Sequence, residues 1–322
     1  MALDPRVNAY RADLADARLR GRVTAGRFVE GRPARIVAGR APVRRASARD
    51  APLDTEYRYG EPLLVFEEAA GWAWCQSLED GYVGYVEAVA GAIGDPAEQT
   101  HFVATMGSYV YAEPDMKLPP GDFLPRHSAV LVAERGIMTR GSEYARLDTG
   151  GFLPSGCLST EPPRSSDLVT AAERYLGCPY LWGGRSFFGL DCSGLVQNAF
   201  RDLGIMVLRD TDMQRDTIGQ GVAISREAEL RRGDLLYPAG HVVIYAGEGE
   251  IIHASDGTMS VRRQALAEFM AARRYDIASF VVRRHPAVVG PGLSPAGNAS
   301  SNAVQFPPAG RSKRGRARGG AR

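Results

Sequence analysis

The sequence predicts an α+β protein in which short strands come first and helices follow. Between residues 41 and 158, several short strand-like segments are separated by turn signals, a spacing typical of small barrels or sandwiches. Apolar residues then recur at helical spacing within Cys192–Leu203, and Leu168–Leu176 is a second predicted helix. Two further strands, His241–Ala246 and Ile251–Ser255, are joined by a short glycine-containing turn, which predicts an antiparallel hairpin.

Composition and charge are those of an ordinary globular chain. The 322 residues are 44% hydrophobic and 24% charged, with a formal net charge of +2. This length accommodates about two or three domains. The near balance of charge predicts no general attraction to nucleic acid or to a membrane surface. No apolar run approaches the roughly 20 residues needed to cross a bilayer. We therefore expect no nucleic-acid partner and no membrane span, and the oligomeric state stays unknown at this stage.

The cysteines and the amino-terminal residues predict a cytoplasmic protein with reduced thiols and no cofactor. The first 23 residues have mixed charge and no apolar core of the kind found in secretory signals. The chain has four cysteines without a C-x-x-C pair, so it is not a small disulfide scaffold. A zinc site is the alternative use of two of these thiols with two histidines, but ligand pairs at finger-like spacing are absent. We expect no metal. The residues concerned are Cys178, Cys192, His241 and His253.

Five segments differ in composition and pattern: 1–40, 41–92, 98–160, 161–285 and 286–322. The first is rich in Arg and Ala and predicts a partly ordered extension with a short helix at Leu14–Leu19. The second and third predict small all-β modules, and the fourth predicts the domain that carries the helices and the hairpin, with Asp167 as the N-cap of its first helix. The fifth predicts a disordered basic tail, because too little of it can be buried to offset the cost of ordering it.

The 41–92 segment resembles the bacterial SH3-like (SH3b) module. The resemblance rests on a strand entry at Gly60-Glu61, a strand at Gly71-Trp72 and the run Asp80–Tyr85. The segment from His101 onward looks like a degenerate second copy. The aromatic residues of the first module are expected to fill or cap a small core. They are Trp72, Trp74, Tyr82 and Tyr85.

Cys192 is the candidate nucleophile. It lies at the predicted start of a helix, where unpaired backbone N–H groups and the positive end of the helix dipole favour an anion. A thiol at such a position should lose its proton more easily, and the thiolate is the attacking form. The small neighbours Ser193 and Gly194 leave room for a substrate backbone. The alternative is an inert structural cysteine, since free cysteines are among the most buried residues.

The predicted hairpin supplies two candidate histidines. His241 begins one strand and His253 lies in its partner. Because side chains alternate along a strand, both imidazoles reach one place if the two faces coincide. A cysteine nucleophile needs a base within hydrogen-bond reach and a third group that orients the base. We therefore assign His241 as general base and later acid, and His253 as the group that orients it.

Further residues are predicted to line the site. Trp182, with Gly183 and Gly184, would form a wall of the cleft. Tyr180 would donate its hydroxyl to the developing oxyanion together with the backbone N–H of Cys192. Trp182 has an alternative role as a core residue.

The C-terminal domain closely resembles the NlpC/P60 cysteine peptidases over residues 167–285. The resemblance implies a papain-like α+β fold and a Cys-His-His triad at Cys192, His241 and His253. It also implies an active-site hydroxyl at Tyr180 and a substrate contact at Asp191, and we add Ser193 and Arg209 to the predicted substrate-binding set. Its motifs are Pro179–Gly184, Asp191–Leu195, Met213-Gln214, Arg232–Leu236, His241–Tyr245 and Ile252–Ala254.

Two SH3b modules before such a domain resemble the γ-D-glutamyl-L-diamino acid endopeptidases of bacteria, which cut murein peptides. The resemblance implies that the first module leans over the cleft and restricts it to peptides with a free N-terminal L-Ala. An acidic residue would hold the ammonium group, because a buried charge without a partner is costly. Asp191 is the first candidate, with Glu61, Glu67 or Glu68 as weaker ones.

Two other functions are compatible with the sequence. The SH3b pair could bind cell-wall peptides beside a catalytically inert domain, although the complete set of Cys192, His241 and His253 argues against decay of the site. Alternatively, the same fold could act on another amide or ester.

Overall fold

The structure is a computed structural model that describes residues 2–88 and 93–288. Apart from its first three residues, which form a short 3-10 turn at Pro286–Val288, the predicted disordered tail lies outside the described residues. Three parts follow one another along the chain: two all-β barrels and a domain with a six-stranded sheet.

The amino-terminal segment is folded against the first barrel. The helix predicted at Leu14–Leu19 is wrong, because the segment forms a strand followed by a 3-10 turn whose first N–H groups are capped by Asp16. The few apolar side chains of this segment explain why it is ordered, because Ala9 and Leu14 are fully buried against Phe66 and Trp74 of the barrel. The elements are β1 (Leu14–Asp16), the 3-10 turn Ala17–Leu19 and β2 (Arg27–Val29), which pairs with β1 in parallel.

The first barrel begins earlier than its predicted boundary at residue 41. Its seven strands run in the order β5-β4-β8-β7-β6-β3-β9, and β3 falls in the segment predicted as an extension. Buried and more exposed side chains alternate along most of β4, β6 and β8, as on a half-buried sheet, whereas β3, β5 and β7 each contain a run of consecutive buried residues. They are β3 (Arg32–Ile36), β4 (Arg40–Arg44), β5 (Leu53–Arg58), β6 (Pro62–Ala69), β7 (Trp72–Ser77), β8 (Val83–Glu87) and β9 (Ile93–Gly94).

The second barrel has two sheets, in the orders β13-β10-β17 and β12-β11-β16-β15-β14. Its core is small, with Val103, Leu124 and Leu153 fully buried at its centre. The strands are β10 (His101–Val103), β11 (Gly107–Tyr111), β12 (Pro120–Pro125), β13 (Ala129–Val130), β14 (Val132–Thr139), β15 (Ser142–Leu147), β16 (Phe152–Pro154) and β17 (Leu158–Ser159).

The C-terminal domain packs helices against a sheet of order β20-β25-β21-β22-β23-β24. Asp167 caps the first helix as predicted, accepting hydrogen bonds from two backbone N–H groups. The predicted antiparallel hairpin is confirmed, since Ile244 pairs with Ile252 across it. The elements are α1 (Leu168–Glu173), β18 (Arg185–Ser186), β19 (Gly189–Leu190), α2 (Cys192–Asp202), α3 (Thr211–Thr217), β20 (Gln220–Val222), β21 (Leu235–Tyr237), β22 (Val243–Gly247), β23 (Glu250–Ser255), β24 (Ser260–Ala265), α4 (Leu266–Arg273) and β25 (Val281–Arg284).

Buried polar contacts attach both barrels to α2 and its surroundings. Arg185 is almost completely buried and donates to the backbone carbonyl of Glu56 in the first barrel at 3.0 Å. From the second barrel, the His127 ring lies 2.6 Å from a carboxylate oxygen of Asp202 at the end of α2. Because buried charged groups are costly unless paired, these contacts hold the barrels in a defined position over the helix. That position decides which barrel residues face Cys192.

Candidate active site

Cys192 is the first residue of α2, as predicted, and its side chain is largely buried. The helix begins there because Asp191 adopts an extended backbone and its Oδ1 accepts a hydrogen bond of 2.7 Å from the N–H of Gly194. The sulfur lies 3.7 Å from the hydroxyl of Thr211 at the start of α3. The backbone of Val242, the residue after His241, is close enough to the thiol to lower its pKa, and His241 and Cys192 line the same cleft. The segment that carries His241 therefore lies beside the nucleophile.

Asp191 is used to hold the helix start and has little capacity left for a substrate. Its Oδ2 accepts from the N–H of Gly183 at 2.8 Å, and both oxygens form a bidentate ion pair with Arg209 at 3.0 and 2.6 Å. The prediction that Asp191 holds a substrate ammonium is not supported by this geometry, because its charge is already neutralised. Arg209 is about 1% exposed, donates to Thr55 of the first barrel and to Ser193, and does not line the cleft. Its predicted contact with substrate is replaced by an internal crosslink.

The two histidines converge as the hairpin predicted. Nε2 of His241 lies 3.0 Å from Nδ1 of His253, and Nε2 of His253 lies 3.3 Å from Oε1 of Gln264. An amide oxygen can only accept, so His253 carries its proton on Nε2 and its Nδ1 accepts from His241. His241 then carries its proton on Nε2, and its Nδ1 has a lone pair available to accept the thiol proton. Gln264 sits in β24, and no sequence motif pointed to it.

Burial sets the protonation of the resting site. It raises the pKa of the Cys192 thiol to about 11, with the Asp191 carboxylate adding to the effect. Burial also lowers the pKa of His241 and of His253 to about 4, and for His241 the neighbouring ring of His253 acts in the same direction. The helix end was predicted to lower the pKa of the thiol, but the loss of water around the thiol raises that pKa by more. These pKa values leave Cys192 as a thiol and His241 as a neutral imidazole at neutral pH.

A single cleft of about 900 Å³ brings these groups together. Its lining comes from the C-terminal domain, from the first barrel and from the amino-terminal segment. The sequence did not reveal the contribution of Arg6, Tyr82 or Asp210, whose side chains meet there: the Tyr82 hydroxyl donates to Asp210 at 3.1 Å and Arg6 donates to it at 2.8 Å. The sequence feature that could have pointed to Asp210 is its position directly after the predicted site residue Arg209. Lining residues include Arg6, Arg45, Asp54, Tyr82, Tyr180, Trp182, Asp191, Cys192, Ser193, Asp210, Thr211, His241, Asp256, Arg273 and Tyr275.

The two predicted aromatic site residues both line the cleft. Tyr180 is half-buried, and burial followed by the nearby Cys192 raises the pKa of its hydroxyl to about 12, so it stays a hydrogen-bond donor at neutral pH. Trp182 is 64% exposed at the rim, which excludes a core role. Gly183 before the site has φ +78°, a left-handed conformation that favours glycine, and a Cβ there would lie 2.8 Å from the Leu53 side chain.

The glutamates named as alternative ammonium ligands lie outside this cleft. Glu61 is fully buried, accepting from Ser77 at 2.6 Å and from Arg185. Glu67 pairs with Arg11, and Glu68 pairs with Arg32 on the outer face of the barrel. Their sequence positions near the glycine turn of the module gave no information on which face they occupy.

Residues 2–88 and 93–288 lack two further features. That part of the chain contains no helix long and apolar enough to span a membrane. It also contains no group of three or more His, Cys, Asp or Glu side chains placed to hold a metal ion. Cys178 is buried in the core beside α2, in agreement with a structural role.

Comparisons with known proteins agree with this architecture. The profile of the NlpC/P60 family matches residues 177–279, and that of the bacterial dipeptidyl-peptidase SH3 domain matches residues 43–90. The chain is 32% identical over 255 residues to a γ-D-glutamyl-L-lysine dipeptidyl-peptidase of Bacillus cereus, covering 69% of this chain and 75% of the relative. It is 35% identical over 249 residues to dipeptidyl-peptidase 6 of Lysinibacillus sphaericus, covering 72% and 90%.

A solved structure shows the same fold. The crystal structure of an NlpC/P60 family protein from Bacillus cereus superposes with a TM-score of 0.62 at 20% identity, covering 79% of this chain and 99% of the other. The predicted α+β fold, with SH3-like modules before an NlpC/P60 domain, is thus confirmed.

Proposed function

Because the chain belongs to the NlpC/P60 family of cysteine peptidases, we propose that it hydrolyses the bond between γ-linked D-glutamate and the diamino acid of murein peptides. The observation that carries the proposal is one cleft lined by both Cys192 and His241, with the His241 ring held at 3.0 Å by His253. The names of the two relatives, both dipeptidyl-peptidases, support the same bond class. The relatives are covered over 75% and 90% of their length, so the comparison includes both the barrels and the catalytic domain.

The geometry supports a thioester mechanism. The Cys192 sulfur attacks the γ-carbonyl carbon of D-glutamate while its proton passes to Nδ1 of His241. The resulting oxyanion accepts from the Tyr180 hydroxyl and from the backbone N–H of Cys192. When the C–N bond breaks, His241 returns the proton to the leaving amine and a thioester remains. Water, deprotonated by His241, then attacks the thioester and releases the glutamyl carboxylate, and the thiol regains its proton.

Asp210 replaces Asp191 in the proposal as the carboxylate that binds the free ammonium of L-Ala. Asp210 lines the cleft. Its carboxyl group is largely buried, and this burial raises its pKa above the usual range. The Tyr82 hydroxyl of the first barrel orients it at 3.1 Å. Arg6, whose side chain is 37% exposed, donates to the same Oδ2 of Asp210 that accepts from Tyr82. The buried Arg209, by contrast, holds both oxygens of Asp191, so Asp210 keeps its Oδ1 for a substrate ammonium. The barrel wall behind these groups would exclude peptides that extend beyond L-Ala.

The proposal is tested with the peptide L-Ala-γ-D-Glu-meso-diaminopimelate and mass spectrometry of its products. We expect release of the dipeptide L-Ala-D-Glu and of free diaminopimelate. Cys192→Ala should lower turnover by at least about 10³-fold, because the nucleophile is removed. Cys178→Ala is the matched control, since that thiol lies in the core and should leave turnover largely intact. Full activity of the Cys192→Ala protein would refute the mechanism.

We also propose that the protein acts on free murein peptides during reuse of cell-wall fragments in the cytoplasm. A cleft closed on one side by the first barrel supports short substrates over glycan-linked ones. The measurement is product analysis with muropeptides that do or do not retain the glycan, combined with cell fractionation. Equal cleavage of both substrates would contradict this part of the proposal.

A further inference from the structure

One ion pair in the cleft has no part in the mechanism above. Asp256, in the turn after β23, pairs with Arg273 at the end of α4, and both residues line the cleft that contains Cys192. Their side chains are 53% and 42% exposed. Exposed ion pairs of this kind contribute little to folding stability. The two side chains can therefore exchange this contact for contacts with a substrate at little cost in stability.

The pair lies close to the reacting groups. Burial, with a smaller contribution from the Asp256 carboxylate, raises the pKa of Tyr180. Burial lowers the pKa of His241, and the same carboxylate acts against that lowering. The Arg273 guanidinium acts on His241 in the opposite sense. Charges exert such effects on a neighbour over a few ångströms, so the pair borders the catalytic groups.

The mechanism decides which part of the substrate meets this pair. His241 gives its proton to the leaving amine, so the leaving group lies against the wall that carries His241. Asp256 and Arg273 both act on the pKa of His241, and Tyr275 packs against Phe269, which also packs against the His241 ring, so these three cleft residues lie on the His241 side. Tyr82 and Asp210 contact each other elsewhere in the cleft and belong to the acyl part in the proposed function. The leaving group in the proposed reaction is the diamino acid, and its side chain ends in an ionised group.

From this arrangement we infer that Asp256 and Arg273 form the subsite for the far end of the diamino acid side chain. This subsite favours a diamino acid whose side chain ends in a carbon that bears both an ammonium group and a carboxylate group. The inference rests on the proposed function. The guanidinium fork of Arg273 matches a carboxylate, and Asp256 accepts hydrogen bonds from an ammonium. When such a zwitterionic end binds, the ion pair between Asp256 and Arg273 is replaced by two ion pairs with the substrate. A lysine side chain would pair with Asp256 alone and would leave Arg273 without its carboxylate.

The experiment compares three peptides that differ only at this end. L-Ala-γ-D-Glu is followed by meso-diaminopimelate, by the same residue with its side-chain carboxylate converted to the carboxamide, or by L-Lys, and kcat/KM is measured for each. The carboxamide keeps the size and the ammonium, so it isolates the carboxylate. We expect diaminopimelate to exceed each of the other two by about 10-fold or more, the effect of a charge-assisted hydrogen bond pair.

Arg273→Gln should bring kcat/KM for the diaminopimelate peptide close to that for the carboxamide peptide, so that their ratio is about 1. The same substitution should change kcat/KM for the lysine peptide by less than about threefold. Arg45→Gln is the matched control, because Arg45 lines the part of the cleft contributed by the first barrel, where it pairs with Asp54, and should leave that ratio unchanged. Equal kcat/KM for all three peptides with the unaltered protein would overturn the subsite while leaving the proposed function standing. An equal loss on all three with Arg273→Gln would also overturn it. Cleavage of none of the peptides would overturn the proposed function and the subsite together.

Discussion

Asp191, the residue before Cys192, forms a buried bidentate ion pair with Arg209, with N–O distances of 3.0 and 2.6 Å. Asp191 also caps the helix that begins at Cys192, and Arg209 donates to Thr55 of the first barrel at 2.9 Å. The pair therefore joins the helix start to the barrel that contributes to the lining of the cleft. The position of the sulfur depends on a contact between two domains.

Arg209→Lys should destabilise the protein strongly. Lysine keeps the charge but cannot supply the fork that bonds Asp191, Ser193 and Thr55 at once. Loss of one partner of a buried pair costs about 3–5 kcal/mol, and we expect a loss toward the lower end because the charge is kept. Chemical denaturation measures it. Arg45→Lys is the control, since the Arg45 side chain is 68% exposed beside Asp54 and should change stability by less than about 1 kcal/mol. Similar losses in both variants would contradict the role of the buried pair.

Gln264 should control the base through His253. Gln264→Met removes the oxygen that accepts from Nε2 of His253, so the tautomer that leaves Nδ1 of His241 free is no longer favoured. We expect kcat to fall by about 10- to 100-fold, the usual cost of losing an outer hydrogen-bond partner of a functional histidine, with little change in KM. Gln264→Glu keeps an acceptor and adds a negative charge, which should raise the pKa of His253 and move the acidic limb of the pH profile upward. Unchanged pH profiles in both variants would exclude this role.

Asp210→Asn should affect peptides with a free amino terminus selectively. It removes the negative charge that pairs with the ammonium of L-Ala, and hydrogen bonds to charged groups are worth about 1.5–3 kcal/mol, or roughly 10- to 150-fold in kcat/KM. The N-acetylated peptide lacks the ammonium, so we expect it to be a poor substrate of the unaltered protein and to change little on this substitution. Asp212→Asn is the matched control, because Asp212 also pairs with Arg6 but its side chain is 50% exposed. An equal effect of both substitutions on the two peptides would count against Asp210 as the ammonium ligand.

The histidine pair should make stability depend on pH. Burial lowers the pKa of His241 and His253 to about 4 in the folded protein, whereas an unfolded histidine titrates near pH 6.5. As pH falls from about 6.5 toward 4, the unfolded state binds protons that the folded state does not, so the free energy of unfolding decreases. Stability from this source is present above pH 6.5 and is lost on the way down. Denaturation at a series of pH values measures the slope.

His253→Asn should reduce that slope by up to one proton, about 1.4 kcal/mol per pH unit, because one of the two neutral buried rings is gone. Asparagine can still offer His241 a hydrogen-bond acceptor. A slope identical to that of the unaltered protein would mean that His253 is already protonated in the folded state over this range.

Local patterns in the sequence determined the elements that carry the chemistry. The helical spacing after Cys192, the capping residue before it and the two strands joined by a glycine turn each depend on residues close together in the chain. Those patterns predicted the start of α2 and the convergence of His241 with His253 correctly. The resemblance of these motifs to the NlpC/P60 peptidases was likewise readable without coordinates.

The tertiary structure decided the groups that surround the nucleophile and their charges. Asp191 is occupied by Arg209, Asp210 faces the cleft with Tyr82 and Arg6, and Gln264 reaches His253 from another strand. These contacts join residues as far as about 200 positions apart, such as Arg6 and Asp210. The pKa of Cys192 rises because the surrounding domains remove water from it. Sequence periodicity specifies which way a side chain points from its own element, but solvent exclusion and pairing depend on how separate domains pack, and no local pattern contains that information.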